Sequence, residues 1–184
     1  MPPRRAPKLP TADRLERIAI HYLERYSASA DRVRQMLERR VARAATKGAA
    51  LEDPAEGRVM IEAVMEKLTR QGFLDDARFA EGRGHSLLRR GSSVRQVRMH
   101  LASRGVDGDV IDETLVKLAD EAGTETRALD HAAALAYARR RRLGPFRAEE
   151  VRADYRQKDM AALGRAGFSS DLARKIIDGD EGDA

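Results

Sequence analysis

The chain contains no cysteine and no tryptophan. Without thiols it can form no disulfide frame, no thiolate metal site and no cysteine nucleophile, and that composition suits a reducing cytoplasm. Phenylalanine and tyrosine number only four each, so a core must be built from Leu, Val, Ile, Ala and Met. No apolar run approaches the roughly 18–20 residues that a membrane span needs. The opening Met1-Pro2-Pro3-Arg4-Arg5-Ala6-Pro7-Lys8 also lacks the apolar stretch of a secretory signal. A soluble, cytoplasmic protein with a disordered basic arm over residues 1–11 is expected.

Catalytic patterns are missing as well. His21, His85, His100 and His131 fall on different predicted helices, with none of the i, i+4 pairing of a zinc helix, and read as surface or boundary residues. Gly82, Gly84 and Gly91 do not compose a phosphate-cradling loop, and no glycine is followed by lysine. Asp75 and Asp76 are adjacent carboxylates, but they stand where a helix start needs an acceptor, so capping is the simpler reading. No enzyme, cofactor or metal is expected.

What is present is helix. Prolines are six, 42% of residues are apolar and 35% charged, and the abundance of Ala, Leu, Arg and Glu favours an all-α fold. Thr11 or Asp13 can cap a first helix whose stripe is Leu15, Ile18, Ala19, Tyr22, Leu23 and Tyr26. Ser29 can cap a second, with Val33, Met36, Leu37, Val41 and Ala44 inward and Arg32, Arg39 and Arg43 on the opposite face. Pro54 suits the first turn of a third, which presents Met60, Ile61, Val64 and Leu68. Three further helices carry Ala77, Phe79, Ala80, Leu87 and Leu88; then Val94, Val97 and Leu101 behind a Ser93–Gln96 capping box; then Val110, Ile111, Leu115 and Leu118. The last three carry Leu129, Ala132, Ala133, Ala136 and Tyr137; Val151, Tyr155, Met160 and Leu163; and Leu172, Ala173, Ile176 and Ile177. Tyr22, Phe73 and Phe79 read as core. Gly82 and Gly84 inside a helix cost about 1 kcal/mol each relative to Ala, so either they admit a close neighbour or the helix is locally weak.

One short phrase recurs. Leu68-Thr69-Arg70-Gln71-Gly72-Phe73, Leu101-Ala102-Ser103-Arg104-Gly105-Val106 and Leu163-Gly164-Arg165-Ala166-Gly167-Phe168 each read as a last helical turn, a glycine stop and an apolar residue re-entering the core. Inner loops at Gly48, Gly105 and Gly167 repeat at nearly constant spacing. The expected architecture is a tandem array of three three-helix repeats, about nine helices, elongated and able to curve. The repeats are placed at residues 12–72, 73–122 and 123–178, with an acidic tail over 179–184.

Charge alternates along this array. Residues 1–50 hold twelve basic and five acidic residues, 81–105 six and one, 106–130 two and eight, and 131–147 five and none. Arg89, Arg90, Arg95 and Arg98 crowd a glycine-marked turn, and Arg139, Arg140, Arg141 and Arg142 span a helical turn. A charge run is commonly a solvated face, yet these eight lack nearby acids to neutralise them, and they are the candidate partner or nucleic-acid binding residues. Residues 94–118 have the outline of a helix-turn-helix with Gly105 in the turn, but the second helix carries Asp107, Asp109, Asp112, Glu113, Asp120 and Glu121 against Lys117. Duplex phosphates would repel it, which argues against sequence-specific readout.

The stretch Gly72-Phe73-Leu74-Asp75-Asp76-Ala77-Arg78-Phe79-Ala80, followed by Arg89-Arg90-Gly91, Val97 to Leu101 and Arg104-Gly105-Val106, closely resembles the central signature of the RecX family of RecA recombinase regulators. Tyr22-Leu23 with Ser27 and Ser29, and Leu163 to Ser169, fall where that family has its other two repeats. The resemblance implies a helical-repeat protein without enzymatic activity. It implies a protein that binds the RecA filament on DNA and curbs its growth, ATP hydrolysis, strand exchange and repressor cleavage, with direct contact to single- or double-stranded DNA besides; a monomer is expected. A general nucleic-acid binding module that competes for DNA is the alternative.

Overall fold

The computed structural model describes residues 9–51 and 53–179. The expected basic arm up to Lys8 and the tail from Asp180 onward lie outside the described residues. Within them there are nine α-helices, one 3-10 turn and no strand. The helices are α1 (Ala12–Leu23), α2 (Ala30–Ala45), α3 (Pro54–Arg70), α4 (Asp76–Arg89), α5 (Val94–Ala102), α6 (Gly108–Glu121), α7 (Thr126–Arg141), α8 (Glu149–Arg165) and α9 (Ser170–Asp178), with the turn Gly144–Phe146 between α7 and α8. The chain divides into two compact units: one runs to Phe79 and takes in Arg104–Val106, the other comprises Ala80–Ser103 and the residues from Asp107 on.

In the first unit α3 packs on both α1 and α2, around Leu15, Ala19, Val33, Leu37, Ile61, Val64, Met65 and Leu68. These are the apolar positions that helical periodicity selects, and Thr11, Ser29 and Asp53 each accept a backbone N–H at the start of their helix. The stripe of α1 stops short of its last member, because the helix ends at Leu23 and Tyr26 is exposed, with its ring 5.1 Å from that of Tyr22. Phe73 is likewise 47% exposed, against the expectation of a core residue. The backbone N–H groups of Phe73 and Leu74 both turn back to the Leu68 carbonyl, and Leu74, one residue later, takes the buried place.

In the second unit the larger core lies among α7, α8 and α9 and holds Ala133, Ala134, Ala138, Leu143, Leu163, Phe168, Ala173, Ile176 and Ile177. Leu118, Ala119 and Leu129 join α6 to α7. Gly84 is buried, and a Cβ there would stand 2.7 Å from Leu118 Cδ1, whereas Gly82 faces open space. Of the two helical glycines, one admits a close neighbour and the other only weakens its helix. All four glycines of the repeated loops have positive φ, but Gly72 ends a third helix and Gly105 and Gly167 end second helices. The phrase therefore marks helix ends, and the register of the repeat is carried by Gly48, Gly105 and Gly167.

A second device recurs with that register. Ser29 is fully buried; its hydroxyl accepts the Arg32 N–H and donates to the Arg104 carbonyl, while Asp76 Oδ1 accepts the Ala30 N–H at 2.8 Å. Ser93 is also fully buried; its hydroxyl accepts from Gln96 and donates to the Ala166 carbonyl at 2.9 Å, while Asp130 Oδ1 accepts the Val94 N–H at 2.7 Å. In both places the accepting carbonyl precedes the loop glycine, and a Cβ on that glycine would strike the capped helix: 2.3 Å from Asp31 Cβ at Gly105, 2.6 Å from Ser93 Oγ at Gly167. The outer members of the series are vacant, since Gly48 meets nothing within 4 Å and α8 begins after Ala148, which makes no side-chain cap.

Asp159, near the middle of α8, is 2% exposed and satisfied by three donors: the Gly144 N–H at 2.9 Å and the Arg147 guanidinium at 3.1 and 2.9 Å. It pins the 3-10 turn to α8. Asp159→Ala would leave a buried N–H and a half-buried guanidinium without their acceptor, and is expected to lose about 3 kcal/mol in urea unfolding.

Burial pushes the Asp76 and Asp130 carboxyls above the ordinary value of 3.8, against the pull of the N–H bonds they accept. A raised pKa means that the folded chain holds the proton more tightly, so the ionised forms cost stability at neutral pH and that cost vanishes as pH falls toward 3.8. Asp76→Asn keeps the oxygen that receives Ala30 and removes the charge, so it should be at least as stable as the parent at pH 7, with Asp76→Ala weaker by about 1 kcal/mol. An asparagine variant as unstable as the alanine one would show that the charge itself is needed.

Candidate partner and nucleic-acid interface

The eight arginines singled out from the sequence, Arg89, Arg90, Arg95, Arg98, Arg139, Arg140, Arg141 and Arg142, all lie in the second unit and all are exposed. Two groups of them meet. α4 ends at Arg89 and is closed by Gly91, whose φ of +76° lets its N–H reach the Leu88 carbonyl and that of Ser92 the Leu87 carbonyl. Gly91 is buried directly against α7, where a Cβ would stand 2.6 Å from Tyr137 N and 2.9 Å from the Ala133 carbonyl oxygen. With the helices this close, the Arg140 guanidinium donates to the Arg90 carbonyl.

Aromatic rings order the rest of the run. The Arg140 and Arg141 guanidinium carbons lie 5.7 and 5.3 Å from the Tyr137 centroid, and Arg139 lies 5.2 Å from that of Phe146. Tyr137 in turn stands edge-on to Phe168, at 6.1 Å. Phe146 belongs to the turn that Asp159 pins, so the buried carboxylate indirectly fixes the seat of Arg139. Arg142 takes the left-handed conformation, φ +53°, that closes α7.

Not all eight are free. Arg98 is paired with Asp112 on α6, which corrects the expectation that the whole set lacks acids: α5 packs on α6, and the acidic helix supplies the partner. Among the described residues no carboxylate pairs with Arg89, Arg90, Arg95 or any of Arg139 to Arg142. Arginines near a helix C-terminus also offset the dipole there, but two such ends contribute only about half a negative charge each. Seven guanidiniums leave a strong positive excess.

The remaining candidates are structural. Asp75 caps its own helix through the Arg78 N–H at 2.9 Å, while Asp76 reaches the second helix. His85 lies 2.9 Å from Glu121 and His21 3.5 Å from Glu24, and the described residues contain no group of three or more His, Asp or Glu fit to hold a metal. Among them no helix is long and apolar enough to cross a membrane. A cavity of about 300 Å³ between α2 and α3 is lined by Val41, Ala45, Leu51, Gly57 and Ile61, with charge only from Glu38 and Arg58. It lacks the convergent polar groups of a small-molecule site.

Comparison with known proteins gives the family. A family model described as "RecX, second three-helix domain" matches residues 75–115, which span α4, α5 and the first half of α6. The chain is 36% identical over 178 residues to the regulatory protein RecX of Myxococcus xanthus (strain DK1622), covering 95% of this chain and 91% of that one. The chain belongs to the RecX family. A second RecX, from Halorhodospira halophila (strain DSM 244 / SL1), is 33% identical over 114 residues, 62% of this chain and 64% of that relative. A crystal structure of a regulatory protein RecX shares the fold, with a TM-score of 0.60 and 21% identity over 91% of this chain and 72% of its own. RecX membership makes this a regulatory protein; in the helix-turn-helix outline of residues 94–118 the second helix is tied up internally, by Arg98–Asp112, Lys117–Glu81 and His85–Glu121.

Gly91 is the residue on which the convergence of the two arginine groups depends. Gly91→Ala meets both a positive φ and the α7 backbone, and is expected to lower stability by about 1–3 kcal/mol. Gly82→Ala, in the same helix but facing open space, should raise it by up to about 1 kcal/mol. Urea melts of the two variants check the pair, and equal effects would contradict the close approach at Gly91.

Proposed function

We propose that this RecX-family protein binds the RecA recombinase filament on DNA and restrains it, lowering ATP hydrolysis, strand exchange and repressor cleavage in DNA repair and the SOS response. The observation that carries this reading is that the α4 end bearing Arg89 and Arg90 adjoins the α7 end bearing Arg139–Arg142, where Arg140 donates to the Arg90 carbonyl, without carboxylates among the described residues to neutralise them. Such a patch suits a polyanionic polymer, where many phosphates are met at once, better than a small ligand. The protein acts as a cytoplasmic monomer and needs no cofactor. Arg95, unpaired on α5, joins this surface; Arg98 contributes less, because Asp112 already engages it.

Competition for bare DNA is the second reading, and α6 weighs against its sequence-specific form because its acids face solvent or internal partners. Reversal of Arg89, Arg90, Arg95 and Arg98 to Glu should weaken inhibition of the recombinase ATPase while helicity stays normal. Full inhibition by that variant would remove these residues from the interface. With the parent protein held substoichiometric and DNA added in excess, inhibition should persist; relief by the added DNA would favour simple competition.

A further inference from the structure

A second basic surface lies on the first unit, on α2. Arg32, Arg39, Arg40 and Arg43 are exposed, and at 100° per residue they fall within an arc of about 100° on one flank of the helix. Lys47, exposed in the turn that follows, continues the row. The buried Val33 and Leu37 face elsewhere, toward α1 and α3. The two acids of α2 are off this flank: Asp31 accepts from Gln35 at 2.8 Å, and Glu38 lines the apolar cavity. The one arginine of α2 outside the arc, Arg34, is the one that finds a carboxylate, Glu62 of α3. Among the described residues no carboxylate pairs with Arg32, Arg39, Arg40, Arg43 or Lys47.

Folding alone gives no reason for this arrangement. Arg39 with Arg43, and Arg40 with Arg43, are like charges at helical neighbour spacing, each costing a few tenths of a kcal/mol in the isolated molecule. The row extends about 16 Å from Arg32 to Arg43 at 1.5 Å per residue. Its only apolar member is Met36, which is half-buried. A protein partner would need an aromatic or aliphatic anchor at the centre of such a patch, whereas a strand of phosphates needs only spaced cations.

We propose that this flank of α2 is a second contact surface for the phosphate backbone of a nucleic-acid strand, so that each compact unit carries its own. The proposal deepens the regulatory reading, in which the partner polymer contains nucleic acid, by giving the first unit a part in holding it. Two attached surfaces raise apparent affinity well beyond either one, and each should be seen separately in the salt dependence.

The test uses the full chain and a fluorescent oligothymidylate, with binding followed by anisotropy between 50 and 200 mM salt. The variant carrying Arg32→Gln, Arg39→Gln, Arg40→Gln and Arg43→Gln should bind at least about tenfold more weakly near 100 mM and lose up to about 3 from the magnitude of the log–log salt slope, at roughly 0.7 per contact. Its helicity should be unchanged, since only exposed side chains are altered. A companion variant with Arg89, Arg90 and Arg139 to Arg142 changed to Gln serves as comparison. Unchanged affinity and slope in the α2 variant, beside a weakened companion, overturns the α2 surface and leaves the regulatory reading intact. Normal DNA binding together with lost affinity for recombinase in the absence of DNA makes the flank a contact for an acidic protein face, and also overturns it. A reduced slope in the α2 variant, with no inhibition of recombinase by the parent chain, upholds the surface and removes the regulatory reading.

Discussion

Two buried serine hydroxyls hold the architecture in register. Each is a helix cap of the ordinary kind, accepting the N–H three residues on, but its proton is given to a carbonyl some seventy residues away in sequence. Each is accompanied by an aspartate that receives the first N–H of the same helix, so a helix start is satisfied by groups drawn from two other elements. A glycine with positive φ lies where any side chain would collide with the cap. Hydroxyl, carboxylate and missing Cβ therefore meet at one helix start, and together they bear on the placement of a whole helix rather than of a single contact. Burial makes the arrangement exacting, because a polar group left without its partner in such a place costs far more than the bond contributes when made.

The arginine surface of the second unit rests on the same sort of close approach. Gly91 brings the end of α4 onto the backbone of α7, and two runs of arginine fifty residues apart in sequence become one patch. The rings of Tyr137 and Phe146 then restrict where three of those side chains lie. A guanidinium already held in place loses less freedom on meeting a phosphate or carboxylate than one that roams, which favours binding without adding a contact. The acidic helix α6 has the complementary part: its Asp112 pairs with Arg98 and its Glu121 with His85, while its own Lys117 pairs with Glu81 of α4.

Much of this fold is legible in the sequence. Stripes with a strong contrast between apolar and charged positions, such as Leu15 and Ala19, Val33 and Leu37, or Ala173, Ile176 and Ile177, name their buried faces correctly. Serines before such stripes name their caps. α7 is harder: an alanine-rich helix has little contrast, and Ala134 and Ala138 are buried where Ala132 and Ala136 are the expected pair. Asp159 could have been noticed, since it sits four residues from both Tyr155 and Leu163 on an apolar stripe, and an acid there requires a buried partner. The second bond of each serine, the reach of Asp76 to another helix and the seat of Gly91 on α7 had no local signal, because each depends on a neighbour distant in sequence. The clustering of candidate arginines was visible in the charge pattern; their convergence, and the loss of Arg98 to Asp112, were not.

The capped-serine joint also has a direction. Its donor side is the start of a second helix and its acceptor side is the loop before a third, and the two vacant members of the series are unlike: the loop at Gly48 is open to a donor, while Ala148 has no hydroxyl to give. A further module could be grafted ahead of α1 with the same chemistry and no alteration to the resident helices. At the start of α8 the same joint is absent, because Ala148 carries a methyl group where its two predecessors carry an oxygen.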